Sequence, residues 1–176
     1  DSKKSKNGAE KINWDLSDLY KSSNDPQLQK DKKEVLKAAD NFAKKYKGKV
    51  AKLSADEFKV LLEEYEKIQD KGGKIGSFAY LQWSTDTSNS EYGKLVQESN
   101  ELSSELSQKL VFFDVEWLKV DSEKAQALID DPKLSFYSHY LDSSRRYKKH
   151  VLEEQQEQIM SAKSVTGRSA WVRFFD

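Results

Sequence analysis

Hydrophobic residues recur every three or four positions along most of the chain, which is the spacing of amphipathic helices. The first predicted helix opens at Asp25 and Pro26, because aspartate is a good N-cap residue and proline fits the first helical position. Gly48 suits the position just beyond the end of this helix. The apolar stripe between these signals consists of Val35, Ala38, Ala39, Phe42, Ala43 and Tyr46.

A second helix is predicted from the capping box formed by Ser54 and Glu57, whose side chains satisfy each other's free backbone N–H groups. Its apolar stripe contains Phe58, Leu61, Leu62, Tyr65 and Ile68. At Gly72 and Gly73 the helix is expected to end or bend, because each glycine costs about 1 kcal/mol relative to alanine. A third helical segment is predicted from Lys74, with Ile75, Phe78, Ala79 and Trp83 on one side.

The longest predicted helix follows a second capping box, Ser88 with Glu91, and spans roughly 30 residues, or about 45 Å. Its apolar stripe contains Leu95, Leu102, Leu106, Leu110, Phe113 and Trp117. Such a stripe suits either a coiled-coil seam between two copies of the chain or packing within one copy. We favour packing within the chain, since the neighbouring helices also carry apolar stripes that need burial.

Three shorter helices complete the predicted architecture. One begins at the cap residue Asp121 and ends before Pro132, the next ends near Arg145, and the last covers residues 152–163 before Gly167. No segment alternates apolar and polar residues for long enough to predict a strand. We therefore predict an all-α fold, an antiparallel helical bundle with one long central helix.

The predicted domain organisation is simple. Residues 1–11 are polar and rich in lysine, so we expect a flexible N-terminal segment, whereas residues 12–176 form one helical domain. The start of the domain is expected to be anchored to its body by an apolar cluster made of Trp14, Leu16, Leu19 and Tyr20. The chain does not begin with methionine, so we also expect a trimmed or processed N-terminus.

Composition excludes several classes of partner and chemistry. Thirty basic and thirty acidic side chains cancel, whereas a nucleic-acid-binding domain usually has a basic excess. Nucleic acid is therefore not expected as a partner. No apolar run approaches the roughly 20 residues that span a bilayer, so a membrane is not expected as a partner either. The absence of cysteine excludes disulfides and cysteine-based zinc sites. We expect a cytoplasmic protein, although this composition also suits an exported one.

Residues that carry catalytic chemistry are scarce. The two histidines, His139 and His150, are not spaced for one helix face, and neither lies in an H-E-x-x-H motif. The segment from Gly72 to Ser77 resembles a phosphate-binding loop only superficially, because the spacing is wrong and no strand precedes it. We therefore predict no catalytic residue and no metal ligand in this chain.

Aromatic residues provide the candidates for binding. The chain has four tryptophans, eight tyrosines and eight phenylalanines, most of them on the apolar stripes. A minority of them suits a peptide groove, because aromatic rings offer a large contact area at low entropic cost. The substrate-binding candidates are Trp83, Tyr137 and Tyr140.

A set of short motifs runs in order along residues 12–176 and resembles one known family. The motifs are Trp14-Asp15-Leu16-Ser17-Asp18-Leu19-Tyr20, Tyr46-Lys47-Gly48-Lys49, Leu53-Ser54-Ala55-Asp56-Glu57-Phe58, Ser84-Thr85-Asp86-Thr87, Leu102-Ser103-Ser104-Glu105-Leu106-Ser107, Phe112-Phe113, Glu116-Trp117, Tyr137-x-His139-Tyr140-Leu141 and Thr166-Gly167-Arg168-Ser169-Ala170-Trp171. Together they resemble the N-terminal region of an oligoendopeptidase F-like zinc metallopeptidase, within the thimet oligopeptidase and oligoendopeptidase superfamily. One local departure is Lys148-Lys149-His150, where relatives often have a proline before the histidine.

The resemblance implies a zinc-dependent parent enzyme that hydrolyses oligopeptides. In that family a C-terminal helical domain, absent from this chain, supplies H-E-x-x-H and a further glutamate as zinc ligands, and the N-terminal region covers the substrate channel. The resemblance therefore implies an inactive domain whose partner is the missing catalytic domain. An exposed apolar patch is expected near Trp171, Phe174 and Phe175, where the chain would enter that domain. The alternative is a free-standing helical protein-interaction module without enzymatic activity.

Overall fold

The computed structural model describes residues 15–146, 148 and 152–175, apart from the side chain at position 173. This part of the chain contains no strand, and the predicted all-α fold is confirmed. Its α-helices are α1 (Pro26–Tyr46), α2 (Ala55–Thr85), α3 (Ser90–Lys119), α4 (Ser122–Ile129), α5 (Ser138–Arg145), α6 (Glu154–Thr166) and α7 (Arg168–Phe175). The predicted flexible segment 1–11, Trp14 and His150 lie outside the described residues.

Helix α3 is the central element, because α1, α2 and α6 all pack against it. Two ion pairs join it to α1, Lys32 with Glu98 at 2.8 Å and Lys109 with Asp40 at 2.6 Å. Its apolar stripe is buried inside this single chain by those neighbours. The apolar stripe of α3 therefore packs within the chain and does not form a seam for dimerisation.

The predicted helix starts are confirmed at three positions and wrong at one. Asp25 and Asp121 accept hydrogen bonds from the first-turn amides of α1 and α4, and Ser54 forms its capping box with Glu57. Helix α3 is capped one residue later than predicted, since the Asn89 side chain accepts from the amide of residue 91 at 2.9 Å. Ser88 is not free to act as the cap, because its hydroxyl donates to Asp86 at 2.6 Å.

The predicted end of the helix at the glycine pair is wrong, because α2 continues through both glycines and is 31 residues long. A Cβ atom at Gly72 would lie 3.1 Å from the Leu106 Cδ1, and one at Gly76 would lie 3.7 Å from the Ser99 Oγ. Glycine thus lets α2 approach α3 closely, and this packing outweighs the low helix propensity. The bundle has two long helices, and the 30-residue α3 is the central one.

The C-terminal helices rest on the surface of the bundle. Helix α6 lies along α3, where the Ser104 hydroxyl donates to the Ser161 carbonyl at 3.1 Å, and no residue of α6 is buried. On α7, Trp171, Phe174 and Phe175 expose 65%, 76% and 83% of their surface, so the predicted apolar patch is confirmed. None of the described helices combines the length and the apolar character needed to cross a membrane.

Candidate functional site

A groove runs along α3 between α2 on one side and α6 on the other. The α2 side is set by the contact of Gly72 with Leu106, and the α6 side by the hydrogen bond from Ser104 to Ser161. Residues at three- and four-residue spacing on α3 lie between these two contacts. They form the floor of what we call the α3 groove: Val96, Asn100, Ser103, Ser107 and Leu110.

Two connected cavities occupy most of this groove. The first, of about 300 Å³, lies between the floor and the glycine-rich wall of α2 around Gly72. The second, of about 520 Å³, lies between the C-terminal end of α2 and the residues at the start of α7. Both cavities are lined by Tyr80, Val96 and Asn100, so they form one continuous depression.

Ser99 is a buried polar residue that lines the first cavity. Its side chain is on α3, it exposes 7% of its surface, and its oxygen faces Gly76 across the wall. Ser99 is not a buried group without a partner, because among the described residues only the Tyr46 hydroxyl is a buried side-chain atom that lacks one.

One end of the α3 groove is aromatic and basic. The rings of Tyr80 and Trp83 lie 6.0 Å apart at the C-terminal end of α2. Arg168 and Val172, on α7, line the same cavity. Arg168 is exposed, and within the described part of the chain it forms no ion pair.

An acidic and phenolic cluster lies around Asp114, beyond the residues that line the two cavities. Burial raises the pKa of the Asp114 carboxyl to about 6, an effect opposed by the Tyr140 phenol and increased by the charge of Glu157. Burial also raises the pKa of Tyr140 and of the neighbouring Tyr65, which face the same carboxyl. No lysine or arginine of the described residues forms an ion pair with Asp114.

The structure brings one of the three predicted binding residues into this groove, since Trp83 lines the cavity at its basic end. Tyr140, with 39% of its surface exposed, lies beside Asp114 and lines neither cavity. Tyr137 is placed elsewhere, since its hydroxyl donates to the Glu66 carboxylate at 2.7 Å and its ring packs edge-on against Phe136. Burial and the Glu66 hydrogen bond raise the pKa of Tyr137 to about 12. Whether any of the three contacts a substrate stays a prediction.

Sequence reasoning missed two residues that line the groove, Ser99 and Arg168, and the partly buried carboxyl of Asp114. The signal for the floor was present, because small polar residues occur at four-residue spacing in Ser99, Ser103 and Ser107. Nothing in the sequence indicated that α6 leaves this stripe uncovered or that α7 brings an arginine to one end of it.

A second groove, of about 1000 Å³, lies between α1 and α2. Some of its rim charges pair across the groove, Lys71 with Glu34 at 2.8 Å and Lys45 with Glu64 at 2.6 Å. Such exposed pairs contribute little stability, about 0–1 kcal/mol. Lys67 and Asp70 also line this groove, so its rim carries further charges.

The described residues do not fit a zinc site. They contain no group of three or more histidine, cysteine, aspartate or glutamate side chains placed to hold a metal ion. His139 is exposed on α5, and its Nε2 lies 3.4 Å from the Ser143 hydroxyl. A single ring beside a serine does not supply the three or four ligands that zinc requires.

The chain is similar to a family of peptidases. A family model described as Oligopeptidase F matches residues 116–176. An oligoendopeptidase F homolog of Borreliella burgdorferi is 32% identical over 149 residues, which cover 84% of this chain and 24% of that protein. Oligopeptidase PepF of Bacillus subtilis is 29% identical over 159 residues, covering 89% of this chain and 23% of the relative.

A third relative, the group B oligopeptidase PepB of Streptococcus agalactiae, is 24% identical over 156 residues. These residues cover 88% of this chain and 25% of that protein. The chain thus spans about a quarter of the length of the curated relatives it matches. No solved structure matches the chain.

Proposed function

Because this chain belongs to the oligopeptidase F family as its N-terminal part, we propose that it is the non-catalytic N-terminal domain of a zinc-dependent endopeptidase. The parent enzyme hydrolyses peptide bonds in short peptides, and this domain covers the channel through which they enter. One observation carries the proposal: similarity to named oligopeptidases extends over 84% and 89% of the chain but only about a quarter of each relative.

The proposal assigns the zinc ion and the catalytic residues to the remaining polypeptide. The described residues contain no group of side chains placed to hold a metal ion. The role proposed for this domain is therefore to form part of the wall of the channel. In the proposal the α3 groove, which Trp83 lines, is the surface of this domain that faces the channel.

The exposed apolar surface of α7 supports the proposal that a second domain packs against this one. Monomeric proteins rarely expose a large contiguous apolar patch, and Trp171, Phe174 and Phe175 pack on one another instead of on the bundle. In the proposal this patch packs against the catalytic domain of the same polypeptide.

A peptidase assay on two proteins tests the proposal. The polypeptide encoded by the complete gene should cleave a quenched fluorescent peptide, and a zinc chelator should abolish the cleavage. The 176-residue chain assayed at the same concentration should not cleave the peptide. Chelator-sensitive cleavage by the chain alone, or none by the complete polypeptide, would overturn the proposal.

The rival hypothesis is a free-standing helical interaction module, and the similarity to peptidases does not favour it. Sequencing the gene beyond position 176 separates the two hypotheses. The peptidase proposal requires an H-E-x-x-H motif in that region. We also propose a cytoplasmic location, which fractionation of cells that express the tagged protein would test.

A further inference from the structure

We propose that α6 and α7 form an arm that closes onto the C-terminal end of α2, and that the structure shows the open position of this arm. Closure would remove the second cavity of the α3 groove, the one of about 520 Å³. The inference goes beyond the proposed function and does not depend on it, because it concerns contacts within the 176-residue chain alone.

The contact between α6 and α3 is polar. The partly buried residues of α6 lie along one side of the helix and include a single apolar side chain: Glu154, Glu157, Gln158, Ser161 and Val165. Two hydrogen bonds join this side to α3, from the Ser104 hydroxyl to the Ser161 carbonyl at 3.1 Å and from the Gln158 amide to the Gln108 carbonyl at 3.4 Å. Because α6 buries no apolar side chain, a small displacement of the arm loses little hydrophobic stabilisation.

The junction between α6 and α7 is stiff. Across it the amide of Gly167 donates to the Lys163 carbonyl at 2.8 Å, and the amide of Trp171 donates to the Gly167 carbonyl at 3.2 Å. A Cβ atom at Gly167 would lie 2.8 Å from the same Lys163 carbonyl, so glycine permits this close turn. Helix α7 packs chiefly against α6. The two helices are therefore expected to move as one unit.

The start of α6 is the pivot of the arm. There Glu153 pairs with Lys119 of α3 at 2.8 Å, and Glu154 pairs with Lys47, which directly follows α1. Towards α7 the described residues of the arm form no further ion pair with the bundle. The C-terminal end of the arm is thus the end that is free to move.

This free end faces a gap and not a packed surface. Ser164, Arg168 and Val172 of the arm line one side of the cavity of about 520 Å³, and Tyr80 and Trp83 of α2 line the other. Protein interiors are close-packed, so two helices that face each other across a space of this size do not hold each other in place. The gap gives the arm room to approach α2.

The side chains on the two sides of the gap favour closure. Tyr80 and Val172 expose 60% and 52% of their surface, and both line the cavity together with Trp83. Bringing them together removes apolar surface from water. In the open position Arg168 contacts neither ring, whereas closure would place its guanidinium against the aromatic pair in a cation–π interaction.

Pulsed electron paramagnetic resonance on the 176-residue chain measures the movement. The chain has no cysteine, so two spin labels can be attached without removing a native thiol. One label is attached at Ser90→Cys, at the start of α3, and the other at Phe174→Cys, on the exposed side of α7. Neither residue lines the cavity. We expect two distances, that of the open position and a shorter one.

A control pair places the second label at Lys59→Cys, an exposed residue of α2, and keeps the first label at Ser90→Cys. Since α2 and α3 share the buried core, this pair should give one narrow distance.

Substitutions at the gap test the cause of closure. Tyr80→Ala and Trp83→Ala should each lower the ratio of closed to open molecules by about three- to tenfold, because they remove apolar surface that closure buries. Phe136→Ala is the matched control, since Phe136 is an aromatic residue with 79% of its surface exposed that lines neither cavity. It should leave the ratio unchanged. Circular dichroism spectra establish that each variant is folded.

Three results would overturn the inference. The first is one narrow distance for the α7 pair. The second is an additional distance that is longer than the open one, because the arm would then lift away from α2. The third is a pair of distances whose ratio is indifferent to both Tyr80→Ala and Trp83→Ala, because the end of the chain would then only fray. None of these results bears on cleavage by the complete polypeptide, so the proposed function would stand.

Discussion

The glycines of α2 provide a sharp test of how this bundle packs. Gly72, Gly73 and Gly76 lie within about one turn of the same continuous helix, yet their surroundings differ. A methyl group added at Gly73 would meet no atom within 4 Å, one at Gly76 would lie 3.7 Å from the Ser99 Oγ, and one at Gly72 would lie 3.1 Å from the Leu106 Cδ1. Substitution of each by alanine adds the same atom in three different environments.

The expected changes follow from two opposing effects. Alanine gains about 0.8–1.0 kcal/mol over glycine in a helix interior, so Gly73→Ala should raise the free energy of unfolding by about this amount. At Gly72 the same gain is opposed by overpacking against the buried Leu106, which costs about 1–3 kcal/mol. Gly72→Ala should therefore be neutral or destabilising by up to about 2 kcal/mol. Gly76→Ala should fall between the two, since 3.7 Å is an ordinary contact.

Urea unfolding followed by far-ultraviolet circular dichroism measures these differences. The slope of the free energy against urea concentration should be unchanged, so that shifts in the midpoint report stability directly. A change of 1 kcal/mol corresponds to roughly 2–4 °C in the thermal midpoint for a chain of this size. An equal increase in the free energy of unfolding for Gly72→Ala and Gly73→Ala, or a decrease for Gly73→Ala, would contradict this explanation. It would show that close approach to α3 does not explain why glycine occupies these positions.

Three further changes test other parts of the structure by the same unfolding measurement. Asp114→Asn should raise the free energy of unfolding at pH 7 by at most about 3 kcal/mol, because it removes a partly buried charge. Trp117→Phe should lower it by about 1–3 kcal/mol, since the indole N–H donates to the Ser144 hydroxyl at 3.0 Å and to the Leu141 carbonyl at 3.2 Å. Asn89→Ala should lower it by about 0.5–2 kcal/mol through loss of the α3 cap, whereas Ser88→Ala should have a smaller effect.

The Asp114 prediction also has a defined dependence on pH. The folded protein raises the pKa of this carboxyl from 3.8 to about 6, so the group's stabilising contribution is fully present below pH 3.8 and is lost as the pH rises through 6. The free energy of unfolding of Asp114→Asn, relative to that of the unsubstituted protein, should therefore increase between about pH 4 and pH 6 and then level off. A constant difference across this range would contradict the raised pKa.

The predictions that rested on neighbouring residues were the most accurate. The caps at Asp25, Ser54 and Asp121 are correct, because a cap is a contact between a side chain and an amide two or three residues away. The α3 cap is wrong by one residue, since Ser88 and Asn89 are both good cap residues and only the turn at Asp86 decides between them.

The errors came from contacts between distant parts of the chain. Local propensity predicts a break at Gly72 and Gly73, but it carries no information about Leu106, which lies more than thirty positions later. Similarly, Tyr137 and Tyr140 occur in one motif, yet the fold directs one hydroxyl to Glu66 and the other towards Asp114.

By itself the sequence determined that this protein is all-α, where most of its helices begin, and which family its ordered motifs resemble. These properties depend on periodicity and on contacts within a helical turn. Only the tertiary structure decided that α2 is continuous and that a groove with an aromatic and basic end lies along α3. The position of the groove depends on how three helices pack around α3, and such packing is the sum of many weak contacts between residues far apart in the chain.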